Sequence, residues 1–302
     1  RKQRKMYVDT IYPLMQKALN RNSNVVLFFM DGVHLIMGSD AIGYVYSTFR
    51  KTVKTSSGRQ RYNVQGAMNY ATLEMVYVAN ATYLNHMTTM ELYCKIAEKY
   101  PGKEIYIICD NAAYQMCAPV KDAIEDLGIN IVPLPAYSPN LNLVERMWSF
   151  LKKEVRKRHE SIENFADFQK EVNDILAHTH TTYYDGLRST MGEAIELYDD
   201  DGYIIPCAKA VKMVEDEKAA SDGEESEEAE ETPAKVATAE HVKAIRERIK
   251  AEQKVAEEER KRRRRRRQDK NIVINVGAEE KTDKASTPGK TAEPDTAGNA
   301  NA

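Results

Sequence analysis

The chain has 302 residues, 42% of them hydrophobic, and a net charge of −2. That is enough apolar material for one large or two small domains, and the near-zero net charge hides strong local patterning, so it says little about partners. No apolar run approaches membrane-spanning length and no signal peptide is visible, which speaks against a membrane-embedded or secreted class. Four cysteines (Cys94, Cys109, Cys117, Cys207) show no CxxC spacing, and Cys94 and Cys109 sit inside apolar segments. Reduced thiols fit that pattern better than a disulfide framework or a zinc site.

Taken in order, residues 1–23 read as a packing helix and linker, with Met6, Ile11, Leu14, Met15 and Leu19 at helical spacing. The apolar run from Val25 to Met30 predicts a strand over 24–31 that ends on Asp31. Gly32 to Gly38 is expected to turn and continue as a second strand. Residues 51–62 are basic and polar (Lys51, Lys54, Arg59, Arg61) and predict a loop. Tyr62–Met68 and Leu73–Val78 predict a hairpin, followed by a helix over 87–99 ahead of Pro101-Gly102.

Ile105 to Cys109 is a second apolar run, and it too ends on a carboxylate, Asp110, followed by Asn111. Pro119 and Gly128 bracket a short helix with Val120, Ala123, Ile124 and Leu127 on one face. Ile129–Val132 predicts another strand. Then Ser138-Pro139-Asn140-Leu141-Asn142 turns into a helix running to about Arg158, with Glu145 near its start. Leu141, Val144, Met147 or Trp148, Leu151 and Val155 form its apolar stripe. Glu145, Ser149, Lys152 and Arg156 share a neighbouring face, and Lys153 adds charge beside it. A further amphipathic helix is expected over 163–178, and 184–207 closes the domain.

Strands buried on both faces read as continuous apolar runs, and ligands gather at their carboxyl ends. Asp31, Asp110 and Glu145 would make an all-oxygen, negatively charged cluster. Such a cluster selects hard divalent ions, Mg²⁺ or Mn²⁺, over Zn²⁺. Singly, each acid has a plain reading as a turn or first-turn residue. The joint pattern is what points to a site.

That pattern resembles a known family. Asp31, Cys109-Asp110-Asn111 and Ser138 through Trp148, with 34 residues between Asp110 and Glu145, resemble the DDE catalytic domain of mariner-like transposases, bacterial insertion-sequence branch. The resemblance covers roughly residues 5–200. It implies an α/β, RNase H-like fold with a mixed central sheet flanked by helices, over residues 24–207. It also implies a DDE-type transposase: metal-dependent DNA strand cleavage and strand transfer, with Asp31, Asp110 and Glu145 as catalytic and metal-binding residues around two ions. Double-stranded DNA, as element ends and target, and a homodimer are the implied partners. A cytoplasmic location follows, nucleoid-associated if the source is bacterial. His34, Asn111, Asn142, Lys152, Lys153 and Arg156 are candidates for supporting the acids or contacting DNA. Trp148 reads as core. The chain begins Arg1-Lys2-Gln3 rather than with Met, which suggests a piece of a longer protein; helix-turn-helix modules of the family are expected upstream.

From about residue 214 the sequence loses aromatics and becomes Ala/Glu/Lys/Arg-rich, and the stretch 208–302 reads as a low-complexity charged tail. Residues 215–231 hold ten acids and one Lys, and Lys261 is followed by six arginines. Over 237–267 a solvent-exposed charged helix is expected, and the arginines would bind phosphates without reading sequence. Two other function classes are compatible with parts of the chain: a domesticated DNA-binding scaffold, and a stand-alone RNase H-like nuclease. A haloacid dehalogenase-type phosphatase is not, because its nucleophile position would be Phe29.

Overall fold

The computed structural model describes residues 1–38, 60–158, 161–192, 195–199, 201–220 and 237–283. The basic segment 51–59 and most of the acidic block lie outside the described residues. Among those described, no helix is long and apolar enough to cross a membrane.

Three strands form an antiparallel half-sheet: β1 (Val25–Ile36), β2 (Arg61–Asn69) and β3 (Met75–Asn80). Two more, β4 (Glu104–Cys109) and β5 (Ile129–Pro133), add to the other side of β1 in parallel. The order β3-β2-β1-β4-β5 is mixed, with helices on both faces, and it is the RNase H-like arrangement expected from the sequence. One expectation changes. β1 does not stop at Asp31 but runs on through Gly32 to Ile36, because β2 supplies a partner for every residue from Phe28 to Ile36.

Period-two alternation divides the sheet's side chains between two cores. Leu27, Phe29, Val33, Leu35 and Ile108 face a core built with α2 (Tyr12–Leu19), α5 (Val144–Lys157), α6 (Phe165–Ala177) and α7 (Tyr184–Met191). Phe28, Met30, Ile105, Ile107 and Cys109 face the other, built with α3 (His86–Lys99) and α4 (Ala118–Leu127). Helix α4 ends where predicted: Gly128 takes φ 61°, a left-handed cap that costs a residue without Cβ little. Helix α6 starts on Asn164, whose side chain accepts from the backbone N–H of Ala166 and Asp167. A short α1 (Lys2–Met6) leads into α2, and a two-stranded ribbon, β6 (Leu197–Tyr198) with β7 (Ile204–Ile205), precedes α8 (Cys207–Ala220).

Packing among the described residues continues past residue 208. The first compact unit runs to Ile249. Ala210 and Val214 of α8 are buried, and so are Val242, Ile245 and Ile249 at the start of α9 (Ala239–Asp283). Those last three recur at helical spacing and join the α3–α4 core, an apolar stripe masked in the sequence by the charges around it. Arg246 pairs with Glu91 and Glu98 of α3, and Arg248 lies 3.6 Å from Asp122 and 3.7 Å from Asp126 of α4. The expected exposed helix is therefore helical but, over 239–249, half packed. The second unit, from Lys250, is helical to Asp283. Replacing Ile245 by Ala is expected to weaken the seating of 239–249 by about 2–5 kcal/mol. Hydrogen exchange should then accelerate over those amides, while the sheet amides keep their protection.

Candidate active site

Register decides where the acids meet. Phe29 of β1 sits beside Ile108 of β4 in the parallel ladder, so two residues further on Asp31 and Asp110 lie on neighbouring chains. Asp31 shares the parity of Leu27 and Phe29, and Asp110 that of Ile108. Both acids therefore face the side covered by α5. Glu145 stands in the first turn of α5, exposed, while Val144, Met147, Trp148, Leu151 and Val155 of the same helix are buried. The apolar stripe seats the helix, and the seat delivers Glu145 to the open edge.

A cavity of about 360 Å³ collects these groups: its walls include Asp31, Asp110, Asn111, Tyr137, Asn142 and Glu145. Asn111 is anchored by donating its Nδ2–H to the Leu134 carbonyl at 3.1 Å. Asn142, buried, donates from Nδ2 to the Met30 carbonyl at 3.1 Å. The other candidates are not brought in. His34 lies further along β1, its Nδ1 2.7 Å from Asn63 Oδ1. Lys152, Lys153 and Arg156 lie further along α5 and do not line the cavity. Ser149 and Arg146 line a smaller neighbouring cleft that shares Glu145.

The electrostatics centre on Asp31. Its carboxyl is pushed up from the usual 3.8 to about 6. Burial is the main cause, and the nearby charges of Glu145 and Asp110 add to it. The Gly32 backbone N–H and the Trp148 indole act the other way. Cys109, next to Asp110, is pushed up to about 12 by burial, with Asp110 and Asp31 contributing. A thiol held that high is protonated at neutral pH and no nucleophile.

Does the donor set suit a hard divalent cation? Three carboxylates supply oxygen only, and Asn142 Oδ1 is buried with no hydrogen-bond partner in the protein. Among the described residues, however, no three His, Cys, Asp or Glu side chains converge on one point. The carboxylates would act in pairs, with water filling the remaining positions, as Mg²⁺ tolerates well. The residues fit such an ion.

Sequence reasoning missed three neighbours. Tyr114 lies near Asp110 and Asp31, whose charges add to the burial that chiefly raises its hydroxyl. Tyr137, 97% exposed with φ 58°, stands on the cavity rim. Trp148, read as core, is indeed 3% exposed, yet its Nε1–H donates to Asp31 Oδ2 at 3.0 Å. Only Gly66, an isolated glycine in a strand pattern, carried a sequence signal for that contact.

Residues 26–169 match the family model described as DDE superfamily endonuclease. The matched span contains all three acids. No curated protein matches the chain. Among solved structures, the chain resembles the Mos1 strand transfer complex at 16% identity and TM-score 0.44, over 74% of this chain and 63% of that one. It resembles the Mos1 transposase catalytic domain with Raltegravir and Mn at 14% identity and TM-score 0.43, over 75% and 98%. A chain of the simian T-cell lymphotropic virus intasome, in complex with PP2A regulatory subunit B56 gamma, matches at 14% identity and TM-score 0.39, over 58% of each. The chain thus spans less than two thirds of the intasome and strand-transfer chains.

Proposed function

We propose that this chain is the catalytic part of a DDE transposase, cleaving and joining DNA strands with a divalent cation. One observation carries the reading. An aspartate within β1, an aspartate just past the end of β4 and a helix-borne glutamate, with 34 residues between the last two, line one cavity inside the segment that matches DDE endonucleases. Asp31, Asp110 and Glu145 would hold Mg²⁺ or Mn²⁺, two ions in the sequence reading. The ions would supply charge neutralisation for an in-line displacement at phosphorus. The chain's own groups do the rest. Asp31 is part-buried and gains from a bound cation, since burial disfavours its ionised form. Asn111 and Asn142 each donate from Nδ2 to a backbone carbonyl, so their Oδ1 atoms would be the acceptors they have left to offer a cation. No protein nucleophile is required, in keeping with a protonated Cys109. Double-stranded DNA as substrate, terminal repeats, and assembly as a dimer come with the family resemblance.

The test is cleavage of labelled duplexes drawn from the DNA that flanks the coding sequence, in Mg²⁺, in Mn²⁺ and in EDTA. Cation-dependent cuts at a fixed boundary, followed by joining to a second duplex, are the expected result. Cutting without boundary or joining would favour a stand-alone nuclease. DNA binding with no cutting in either cation would leave a scaffold as the better description.

A further inference from the structure

The Trp148 contact with Asp31 does more than satisfy a buried donor. Trp148 lies one helical turn beyond Glu145 on α5, so its hydrogen bond ties the helix that carries one acid to the strand that carries another. Asn142, in the turn that leads into α5, adds a second tie to the same strand through the carbonyl of Met30, the residue before Asp31. Two bonds, one from α5 and one from the turn ahead of it, thus hold the backbone and the carboxylate at a single point of β1.

The indole has its N–H on Asp31 of β1 and its far ring edge at Gly66 of β2, and that placement needs space. Gly66 pairs directly opposite Asp31. A Cβ there would sit 2.9 Å from Trp148 Cη2 and 2.6 Å from Met75 Cε. A methionine end can swing aside. A fused ring 3% exposed in a close-packed core cannot do so without moving its N–H.

We propose that Trp148 is a positioning residue for the acidic centre, and that Gly66 is the gap it requires. The indole sets the direction of the Asp31 carboxylate, and the distance from Asp31 to Glu145, before a cation or phosphate arrives. One oxygen, Oδ2, is held by the indole, so a cation would be offered the other, Oδ1. This rests on the metal-binding reading of the site. It goes beyond that reading by assigning preorganisation to two residues that touch neither ion nor substrate.

The experiment measures Mn²⁺ binding to the whole chain by electron paramagnetic resonance, beside the melting temperature. Trp148→Phe keeps a ring but removes the donor. Gly66→Ala leaves every polar group in place and displaces the ring. Leu151→Ala, on the same helix, removes packing without touching Asp31. The first two are expected to weaken Mn²⁺ binding about tenfold, as loss of outer-shell partners does. Combined, they should cost little more than either alone, since they break one contact. Leu151→Ala should melt earlier yet bind Mn²⁺ like the wild type. If Trp148→Phe binds Mn²⁺ as the wild type does, or if affinity merely follows melting temperature across all variants, the positioning role is wrong. Should Trp148→Phe fail to fold, Gly66→Ala decides by the same comparison. A wild type that binds no Mn²⁺ would instead overturn the metal-binding reading and take this inference with it.

Discussion

Replacing Glu145 by Gln is expected to lower strand cleavage by a factor on the order of 10³ or more, with duplex binding unchanged. The size follows from the chemistry: a group that holds charge-neutralising ions at the reacting phosphorus acts in the transition state, so kcat falls while KM stays. Stability should hardly move, because Glu145 is exposed and its neighbours Val144, Met147 and Trp148 keep the helix seated. A second consequence is electrostatic. Glu145 is one of the charges that push the Asp31 carboxyl up, so the neutral glutamine should let it fall toward the usual carboxylate range. Single-turnover cleavage, gel-shift affinity and melting temperature on one preparation check all three parts. A variant within about tenfold of the wild-type rate would remove Glu145 from the active centre.

Asp31→Asn should produce the opposite pair of changes: activity lost, metal-free stability gained. In the folded chain Asp31 keeps its proton up to about pH 6, and in the unfolded chain only to about 3.8. Between those values the folded state binds more protons, so metal-free stability falls as pH rises from about 4 to about 6. It stays at that lower level above pH 6. The asparagine carries no charge to desolvate, and its carbonyl can still accept from Trp148. At pH 7.5 in EDTA the variant is expected to be about 1–2 kcal/mol more stable than the wild type, after allowance for the partial exposure of Asp31. The gain should vanish at pH 4, where both are neutral. Adding Mn²⁺ should raise the wild-type melting temperature and leave the variant's unchanged. Equal stability of the two proteins across the whole range would mean that Asp31 is not under the electrostatic load described for it.

Both expectations separate an acidic centre kept for chemistry from acids kept for folding. Asp31 is held in an environment that disfavours its charge, and the offset comes from groups aimed at it: the Gly32 backbone N–H and the Trp148 indole. A carboxylate with only a structural duty gains nothing from burial beside two others. That cost is understandable where a cation completes the site.

Much of the architecture was written along the chain. Uninterrupted apolar runs at 25–30 and 105–109 dictated strands buried on both faces, and the parity of Asp31 and Asp110 with their apolar neighbours followed from the two-residue repeat alone. The stripe from Val144 to Val155 dictated how α5 would seat, and with it the exposure of Glu145. Pro119 and Gly128 marked the limits of α4. These are local rules, in which a residue's fate depends on neighbours a few positions away.

Tertiary structure decided what depended on distant partners. β1 runs past Asp31 only because β2 pairs with it as far as Ile36. Val242, Ile245 and Ile249 are buried only because α3 and α4 present an apolar face ringed with acids that receive Arg246 and Arg248. Trp148 looked like any core aromatic, since a stripe predicts burial and not the direction of an indole N–H. That direction is set by a gap at Gly66, which comes to lie beneath the ring 82 positions later in the chain only once β2 pairs with β1 and α5 packs across both.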